Sequence, residues 1–327
     1  MTKSAVIGKN VLILNSEIYF LPIKLYNNNL MIYISVTEFA QKNGIAVRTV
    51  RNYCAIGKIK GAFLTGKTWN IPVDAQVELK KMLPQKTNNK LLNVLKEQKE
   101  MQLKGGIYHK IQVDFTFNSN KIEGSRLTQE QTRYIFETNT VGIFEESINV
   151  DDIIETTNHF RCIDLIIEKA TSKLTESIIK ELHFILKSGT SESRKSWFNV
   201  GSYKKLPNEV GGNETCKPQE VEAKMRELLI NYNNKNSKTL KDIIDFHQKF
   251  EVIHPFQDGN GRVGRLIVFK ECLANNIVPF LITDDLKLFY YRGLQQWDAV
   301  QEYLMDTCLT AQDNFKSILN YFKIEHN

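Results

Sequence analysis

Apolar residues recur at helical spacing over most of the chain after residue 107. Segment after segment places apolar side chains three and four positions apart, which predicts amphipathic helices. Val200 to Gly212 breaks this pattern with β-prone residues and paired glycines, and predicts a projecting hairpin. The pattern therefore indicates a mainly α body with one β-hairpin. The predicted helices cover residues 108–120, 128–137, 151–169, 175–187, 218–233, 239–252 and 262–275, with further pieces within 285–323.

The first 75 residues follow a different pattern. Residues 6–33 alternate apolar and polar positions unevenly, which predicts short strands. Residues 35–44 predict a capped helix that ends at a glycine, and residues 46–56 predict a second helix after a tight turn. Residues 61–72 predict a hairpin around Thr-Gly-Lys. This part resembles winged helix-turn-helix modules of the excisionase type, so we expect a small α+β domain.

The helix-turn-helix resemblance implies that the second helix faces the major groove of DNA, where Arg and Asn can bind base edges. Residues 1–110 hold 17 Lys and Arg against 6 Asp and Glu, so a basic front end precedes a mildly acidic body. The alternative is a domain that packs on the body or binds a protein partner. The expected DNA contacts are Arg48, Thr49, Arg51 and Asn52.

Length and composition suit two domains. The chain has 327 residues, of which 42% are hydrophobic and 24% charged. Residues 76–106 are rich in Lys and Gln and end in two glycines, which predicts a helical linker to a body at 107–327. No stretch approaches the roughly 18 apolar residues of a membrane helix, and the N-terminus begins no apolar leader, so we expect a cytoplasmic protein without a membrane partner. Five widely spaced cysteines favour reduced, buried thiols over a zinc or redox site.

A candidate anion site follows the helix predicted at 239–252. This helix runs into His254, and Pro255 cannot continue it. Gly-Asn-Gly at 259–261 lets a ligand approach the backbone, and a new helix begins near Arg262. Loop amides beside a helix N-terminus form a site for anions. The segment therefore predicts phosphate binding.

Charged side chains surround this loop. Arg262 and Arg265 are three positions apart on one helix face, where both can reach phosphate oxygens. Asp258 places one carboxylate beside them. Magnesium is often held by a single carboxylate together with phosphate oxygens and water. The residues thus suit phosphate groups that are bound together with magnesium.

Residues 254–265, His-Pro-Phe-Gln-Asp-Gly-Asn-Gly-Arg-Val-Gly-Arg, match the Fic motif at every position, and the body resembles Fic-family protein adenylyltransferases. The resemblance implies an all-helical core with a β-hairpin flap, and transfer of AMP from ATP to a Ser, Thr or Tyr hydroxyl of a target protein. It also implies that His254 is the general base and that Asp258 holds Mg²⁺. The phosphates of ATP would be bound by Gly259, Asn260, Gly261, Arg262 and Arg265.

A second segment resembles the inhibitory helix of the same family. Ser119 to Gly124 matches its Ser/Thr-x-x-x-Glu-Gly pattern, on a helix expected around 108–124. The resemblance implies that Glu123 pairs with Arg265 and denies that arginine to the γ-phosphate. The same glutamate could position a water that removes AMP from a modified target. An ordinary surface glutamate at a helix end is the alternative.

Two more segments resemble family features. Tyr290 and Tyr291 resemble the paired tyrosines beside the adenine, with core packing as the alternative for Tyr290. His247 is expected to be a structural histidine. The flap would hold the target by strand addition. Its expected target-binding residues are Leu206, Pro207, Asn208, Glu209 and Val210.

Two other functions stay open at this level. A related Fic enzyme could transfer a phosphoryl or another nucleotidyl group, although the two arginines favour pyrophosphate as the leaving group. The chain could instead be a DNA-binding regulator whose Fic body senses nucleotide. The expected partners are ATP, a protein target and DNA, and a homodimer is left open.

Overall fold

The computed structural model describes residues 29–44, 47–55, 57–66, 68–76, 89–142 and 147–326, together with the backbone of short strands before residue 29. The chain divides into two compact units, Met1–Gln85 and Lys86–Asn327. Among the helices of these described ranges, none is long and apolar enough to cross a membrane.

The first unit combines short antiparallel strands with two helices. The first three strands of the chain form one sheet, and the next four form another, in the order fourth, fifth, seventh and sixth. The elements are β1 (Ile7–Gly8), β2 (Val11–Leu14), β3 (Glu17–Phe20), β4 (Ile23–Tyr26), β5 (Asn29–Ser35), α1 (Val36–Asn43), α2 (Val47–Ala55), β6 (Phe63–Thr65) and β7 (Thr68–Pro72).

Local sequence explains the two helices of this unit. Ser35 and Glu38 form a capping box at the start of α1, and Gly44 ends that helix in the left-handed region with φ 64°. Phe39 and Val50 are buried against Ile71 of β7. Helices α1 and α2, followed by the hairpin of β6 and β7, give the α+β arrangement that the sequence predicts.

The second unit is mainly helical, as predicted. Its elements are α3 (Lys90–Met101), α4 (Ile107–Ile122), α5 (Gln129–Thr138), α6 (Val150–Glu168), α7 (Glu176–Lys187), β8 (Glu209–Val210), β9 (Asn213–Glu214), α8 (Pro218–Asn233), α9 (Leu240–Ile253), α10 (Asn260–Ala274), α11 (Lys287–Gln295) and α12 (Glu302–Tyr321), with 3₁₀ turns at Glu192–Arg194 and Asp284–Leu286.

Helix α10 lies at the centre of this unit. It contacts α4, α6, α7 and α9, and its residues are buried on every face. Leu266, Ile267 and Phe269 supply apolar packing, whereas Arg262 and Arg265 bring two buried guanidinium groups into the interior. Buried arginines must be paired with acceptors or anions, so the surroundings of the first turn of α10 determine what the site can bind.

Two boundaries differ from the sequence prediction. Helix α3 is part of the larger unit and not a free linker, because Leu91, Leu92 and Leu95 are buried in its core. The predicted hairpin over Val200 to Gly212 is shorter and lies later in the chain, with strands only at 209–210 and 213–214. Gly211 and Gly212 form its turn with φ 57° and 79°, as a two-residue hairpin turn requires.

Candidate functional site

His254 stands where helix α9 stops. Its backbone is left-handed, with φ 48° and ψ 63°, and its N–H still donates to the carbonyl of Phe250 at 2.9 Å. Pro255 prevents another helical turn. A non-glycine residue in this region carries backbone strain, and such strain is concentrated at functional sites. The chain thus presents His254 at the end of a helix, as the sequence predicts.

The loop after His254 is braced by side chains from within and from α7. Asn260 accepts from the N–H of Phe256 at 2.8 Å and donates to the carbonyl of Phe256 at 2.9 Å. His183 stacks on the Phe256 ring at 4.0 Å, accepts from the N–H of Gly201 at 2.9 Å, and approaches the carbonyl of Asp258 at 3.2 Å. A neutral ring that accepts at Nδ1 carries its proton on Nε2, which then donates to Asp258. The expected phosphate ligand Asn260 therefore has a structural side chain, and only its backbone is left to face an anion.

Two glycines open the loop beside the first turn of α10. Gly259 is the N-cap of this helix, with φ 80°. A Cβ built on Gly261 would lie 2.3 Å from Oε1 of Glu123 and 2.9 Å from Nη1 of Arg265. The Glu123 carboxylate and the Arg265 guanidinium thus fill the space above the Cα of Gly261, and any larger residue there would displace the ends of these two side chains.

Glu123 and Arg265 form the ion pair that the sequence predicts. Arg265 Nη2 donates to Oε1 of Glu123 at 2.8 Å. The same guanidinium donates to the hydroxyl of Ser119 at 3.1 Å and to its carbonyl at 2.9 Å. The Arg265 side chain is 5% exposed and that of Glu123 28% exposed. Helix α4 and Glu123, the residue that directly follows it, therefore supply every partner of Arg265 named here.

The charge of Glu123 is favoured by its surroundings. Burial alone would raise the pKa of the Glu123 carboxyl, but the attraction of Arg265 and then of Arg262 outweighs burial, and the pKa is lowered. Glu123 is therefore an anion at neutral pH. The site holds a carboxylate over Gly261 in a position that suits an anionic ligand.

A second ionic cluster surrounds Arg262. Arg262 contacts Glu155 of α6 and also donates to Asp258 at 3.3 Å. Lys187, at the end of α7, contacts Glu155, Asp258 and, at 3.1 Å, Glu192. The Lys187 side chain is only 3% exposed. Two cations and three carboxylates are thus packed at one edge of the glycine loop, and Nε of Arg262 has no hydrogen-bond partner among the described residues.

Asp258 has the chemistry of a magnesium ligand. Burial would raise its pKa, but Arg262 and Lys187 hold the pKa of this carboxyl well below its usual range. Its side chain is 43% exposed, so an approaching ion can reach it. The described residues contain no group of three or more His, Cys, Asp and Glu that could hold a metal alone. A single exposed carboxylate fits magnesium that keeps phosphate and water ligands, and fits no protein-only metal site.

His254 is set up as a neutral base. Burial and then the positive charge of Lys204 lower its pKa to about 4, although Asp258 and Glu123 act in the opposite direction. Its Nδ1 is buried and has no hydrogen-bond partner within the described ranges. The imidazole is therefore unprotonated at neutral pH and can accept a proton.

Comparison with known proteins agrees with this geometry. Residues 173–271 match the Fic/DOC family. The chain contains a Fic/DOC domain. It is 28% identical over 164 residues to a probable protein adenylyltransferase of Aquifex aeolicus, covering 46% of this chain and 50% of that protein. It is 27% identical over 190 residues to the protein adenylyltransferase Fic of Nematostella vectensis, covering 55% and 42%.

The fold comparison reaches further along the chain. A Fic domain containing signaling protein from Bacteroides thetaiotaomicron is similar with a TM-score of 0.57 and 25% identity, covering 70% of this chain and 94% of that one. This likeness includes helices outside residues 173–271. By sequence, however, the chain spans about half the length, or less, of the two curated relatives.

The two neighbouring tyrosines of α11, Tyr290 and Tyr291, have different surroundings. Tyr290 is 1% exposed, and its hydroxyl lies 2.6 Å from Nε2 of His247. The cavity beside the Tyr290 ring and Arg265 has a volume of about 10 Å³, which has room for a water molecule but not for an adenine ring. Tyr291 is exposed, and its hydroxyl donates to the carbonyl of Ile122 at 3.3 Å. In this conformation Tyr290 therefore packs in the core, which is the alternative given for it above, and leaves no space for adenine beside its ring.

His247 is a structural histidine, as expected. Burial lowers its pKa to about 3, so the ring is neutral. Its Nδ1 lies 3.9 Å from Glu251, and burial raises the pKa of that carboxyl to about 8. A Cβ on Gly264 would lie 2.5 Å from the Glu251 carboxyl. A neutral acid and a neutral histidine therefore line the wall behind Arg265.

The flap segment is attached to the motif loop. The N–H of Leu206 donates to the side chain of Gln257 at 3.3 Å. The Asn208 amide donates to the carbonyl of Phe256 at 3.1 Å. Leu206 and Val210 are exposed apolar side chains. Among the expected target-binding residues, Asn208 is therefore an anchor, whereas Leu206, Pro207, Glu209 and Val210 are exposed.

The expected DNA contacts all fall on α2 of the first unit. Arg51 is exposed there. The side chains of Arg48, Thr49 and Asn52 lie outside the part of the chain that the structure describes. DNA binding stays a prediction.

Sequence reasoning missed the residues that support the site from a distance. Lys187 resembles any cation in the last turn of a helix, where it would interact with the helix dipole. Glu155 and His183 lie on helices α6 and α7 without a motif around them. Several of their partners lie far away in sequence, as for Lys187 and Asp258, which are 71 positions apart, and for Arg262 and Glu155, which are 107 positions apart. No local pattern signals such pairs.

Proposed function

We propose that this protein is a protein adenylyltransferase that transfers AMP from ATP to a hydroxyl group of a target protein, and that Glu123 inhibits the transfer. The observation that carries the proposal is the position of the Glu123 carboxylate, bound to Arg265 and filling the space above Gly261. Because the protein stabilises the negative charge of the Glu123 carboxylate there, this position supports binding of a phosphate once the Glu123 side chain has moved away. The named relatives support AMP as the group transferred.

The side chains suit the chemistry as follows. His254, neutral at pH 7, accepts the proton of the target hydroxyl. The hydroxyl oxygen forms a bond to the α-phosphorus, the bond from that phosphorus to the bridging oxygen breaks, and pyrophosphate leaves with the electron pair. Arg262 and Arg265 bind the negative charge of the leaving phosphates. Asp258 would hold magnesium, which neutralises phosphate charge when bound.

Glu123 interferes with this arrangement at one point. While it pairs with Arg265, the terminal phosphate of ATP loses a cation and meets a carboxylate. ATP bound in that state would be displaced from the line of attack. Removing AMP from a modified target, with Glu123 positioning the water, is a second role that the same position supports.

Labelling with two forms of ATP tests the proposal. Wild type, Glu123→Gly and Glu123→Gly/His254→Ala are incubated with magnesium and either α-labelled or γ-labelled ATP. We expect label from α only, at least tenfold more in Glu123→Gly than in wild type, and none in the double variant. A matched control, Glu123→Gly/His326→Ala, should label like Glu123→Gly. Label from γ would replace the proposal by phosphoryl transfer, and equal label with and without His254 would refute the assigned base.

A further inference from the structure

Lys204 is a buried lysine beside the proposed active site that the mechanism above does not use. Its residue surface is 4% exposed. Its Nζ donates to Oδ1 of Asn208 at 2.7 Å, to the hydroxyl of Thr215 at 2.6 Å and, at 3.5 Å, to the carbonyl of Ile253. All three acceptors are neutral groups, and burial lowers the pKa of the Lys204 ammonium to about 8. A buried ammonium without a counter-ion is unfavourable unless hydrogen bonds compensate for the lost water.

The three acceptors belong to segments that must be coordinated in the proposed reaction. Asn208 directly precedes strand β8 and Thr215 directly follows strand β9, so the two residues form the base of the flap hairpin. Ile253 directly precedes His254. One ammonium therefore joins both ends of the hairpin to the last turn of the helix that carries the histidine.

Further hydrogen bonds run between the same segments. The backbone N–H of Lys204 donates to the carbonyl of Pro255 at 2.9 Å. Asn208, which Lys204 orients, donates to the carbonyls of Phe256 and, at 3.4 Å, Gln257. The Thr215 hydroxyl donates to the carbonyl of Asn208 at 2.9 Å. Lys204 and Asn208 are thus connected to four of the five backbone carbonyls from residue 253 to residue 257, all but that of His254.

We propose that Lys204 is a positioning residue, which fixes the hairpin that holds the target to the backbone that carries His254. This inference rests on the proposed function, because only transfer to a target protein requires the target strand and His254 to keep one relative position. A target strand added to the hairpin is then aligned with the imidazole through Lys204, and no contact between Lys204 and substrate is required.

The ammonium also acts on His254 through its charge. After burial, Lys204 is the largest influence that lowers the histidine pKa. The other groups that face His254 are Asp258 of the motif loop, Glu123 of α4 and the backbone of Glu251 in α9, and all three raise that pKa. Loss of the ammonium should therefore raise the pKa of His254, whereas loss of one of its hydrogen-bond acceptors should not.

Three variants in the Glu123→Gly background separate these effects. Lys204→Met removes the charge and keeps the length of the side chain. Thr215→Val removes one acceptor and keeps the charge. Lys205→Met changes the exposed neighbouring lysine and is the matched control.

The first measurement is the initial rate of self-labelling from α-labelled ATP at varied ATP concentration. For Lys204→Met we expect the saturating rate to fall at least tenfold and the half-saturating ATP concentration to stay within twofold. The acid limb of the rate profile should move up by about half a pH unit, as expected when a cation near a histidine is removed. Thr215→Val should lower the rate without moving this limb, and Lys205→Met should change neither. A rate within twofold of the parent and an unmoved limb in Lys204→Met would overturn the proposal.

Two measurements without turnover test the same role. Amide hydrogen exchange over residues 205–214 should be faster in Lys204→Met and Thr215→Val than in the parent, and NMR titration of His254 should show a raised pKa in Lys204→Met alone. Unchanged exchange in both variants would overturn the proposal. These two measurements decide the positioning role of Lys204 even if the parent labels no protein. A parent that labels no protein would refute the proposed function and not the role of Lys204. If Lys204→Met does not fold, the amide hydrogen exchange and the self-labelling rate of Thr215→Val test the proposal instead.

Discussion

Replacing Glu123 by glutamine removes the carboxylate from the buried guanidinium of Arg265 while it keeps the size of the side chain. Removing one partner of a fully buried pair costs about 3–5 kcal/mol. The cost here should be lower, because the Glu123 side chain is 28% exposed and Arg265 keeps two hydrogen bonds to Ser119. We expect a loss of about 2 kcal/mol in the free energy of unfolding, which for a unit of this size lowers Tm by about 4–8 °C.

Differential scanning calorimetry with and without ATP and magnesium measures this effect. In the absence of ATP, Glu123→Gln should melt below wild type. With ATP, the variant should gain more stability than wild type, because nucleotide no longer competes with a carboxylate. If the ion pair and the terminal phosphate exclude each other, 2 kcal/mol corresponds to about 30-fold tighter ATP binding in the variant. Glu130→Gln is the control, since it removes an exposed ion pair with Arg133 and should leave the melting temperature unchanged.

The pH dependence has a definite sign. The pKa of Glu123 is lower in the folded protein than its ordinary value of 4.5, so the ionised form is favoured by folding. Its contribution is present above the unfolded pKa and is lost as the pH falls through the folded pKa. The difference between wild type and Glu123→Gln should therefore be constant above about pH 6 and shrink below about pH 4.5. Equal melting of the two proteins at neutral pH, or a difference that grows in acid, would refute the assigned pair.

Two further predictions follow from the same site. In Glu123→Gly, the rate of AMP transfer should stay constant from pH 8 down to about pH 5 and should drop as the pH approaches about 4. The reason is that His254 is neutral above its lowered pKa. An acid limb near pH 6.5 in the pH–rate profile would mean an unperturbed histidine. Lys187→Met removes one of the two buried cations that Glu155 and Asp258 share and leaves Arg262 as the other. It should lower the free energy of unfolding by about 3 kcal/mol in urea titration, more than Lys195→Met at an exposed site; equal losses would show that the buried cluster adds no stability.

Apolar spacing was enough to place the helices of the larger unit, since each has a face that must be buried. The prediction of α10 was two residues late, because its first turn is Asn-Gly and holds polar side chains by contacts that no spacing reveals. The hairpin began later than predicted because Lys204 and Asn208 bind the motif loop and leave no strand partner there. The paired glycines Gly211 and Gly212 indicate a turn from sequence alone, but no pattern indicates the contacts of Lys204 and Asn208 that precede it.

The candidate site was predictable where its residues are adjacent in sequence. The segment from His254 to Arg265 and the pairing of Glu123 with Arg265 followed from motifs. Tyr290 and Tyr291 show the limit of this approach, since neighbours on a helix point about 100° apart and only the packed structure decides which of them is buried. The ion pairs of Lys187 join three segments distant in sequence, which no motif records.

Glu123 belongs to the same chain as the site it covers, and if Glu123 inhibits transfer as proposed, this determines how the inhibition responds to dilution. A separate inhibitor dissociates when the protein is diluted, whereas a tethered carboxylate keeps the same effective concentration at any dilution. The share of open sites then depends on the pairing equilibrium and on the amount of nucleotide, whose apparent dissociation constant rises as the open fraction falls. Specific activity should consequently be independent of protein concentration, and each molecule responds to nucleotide alone.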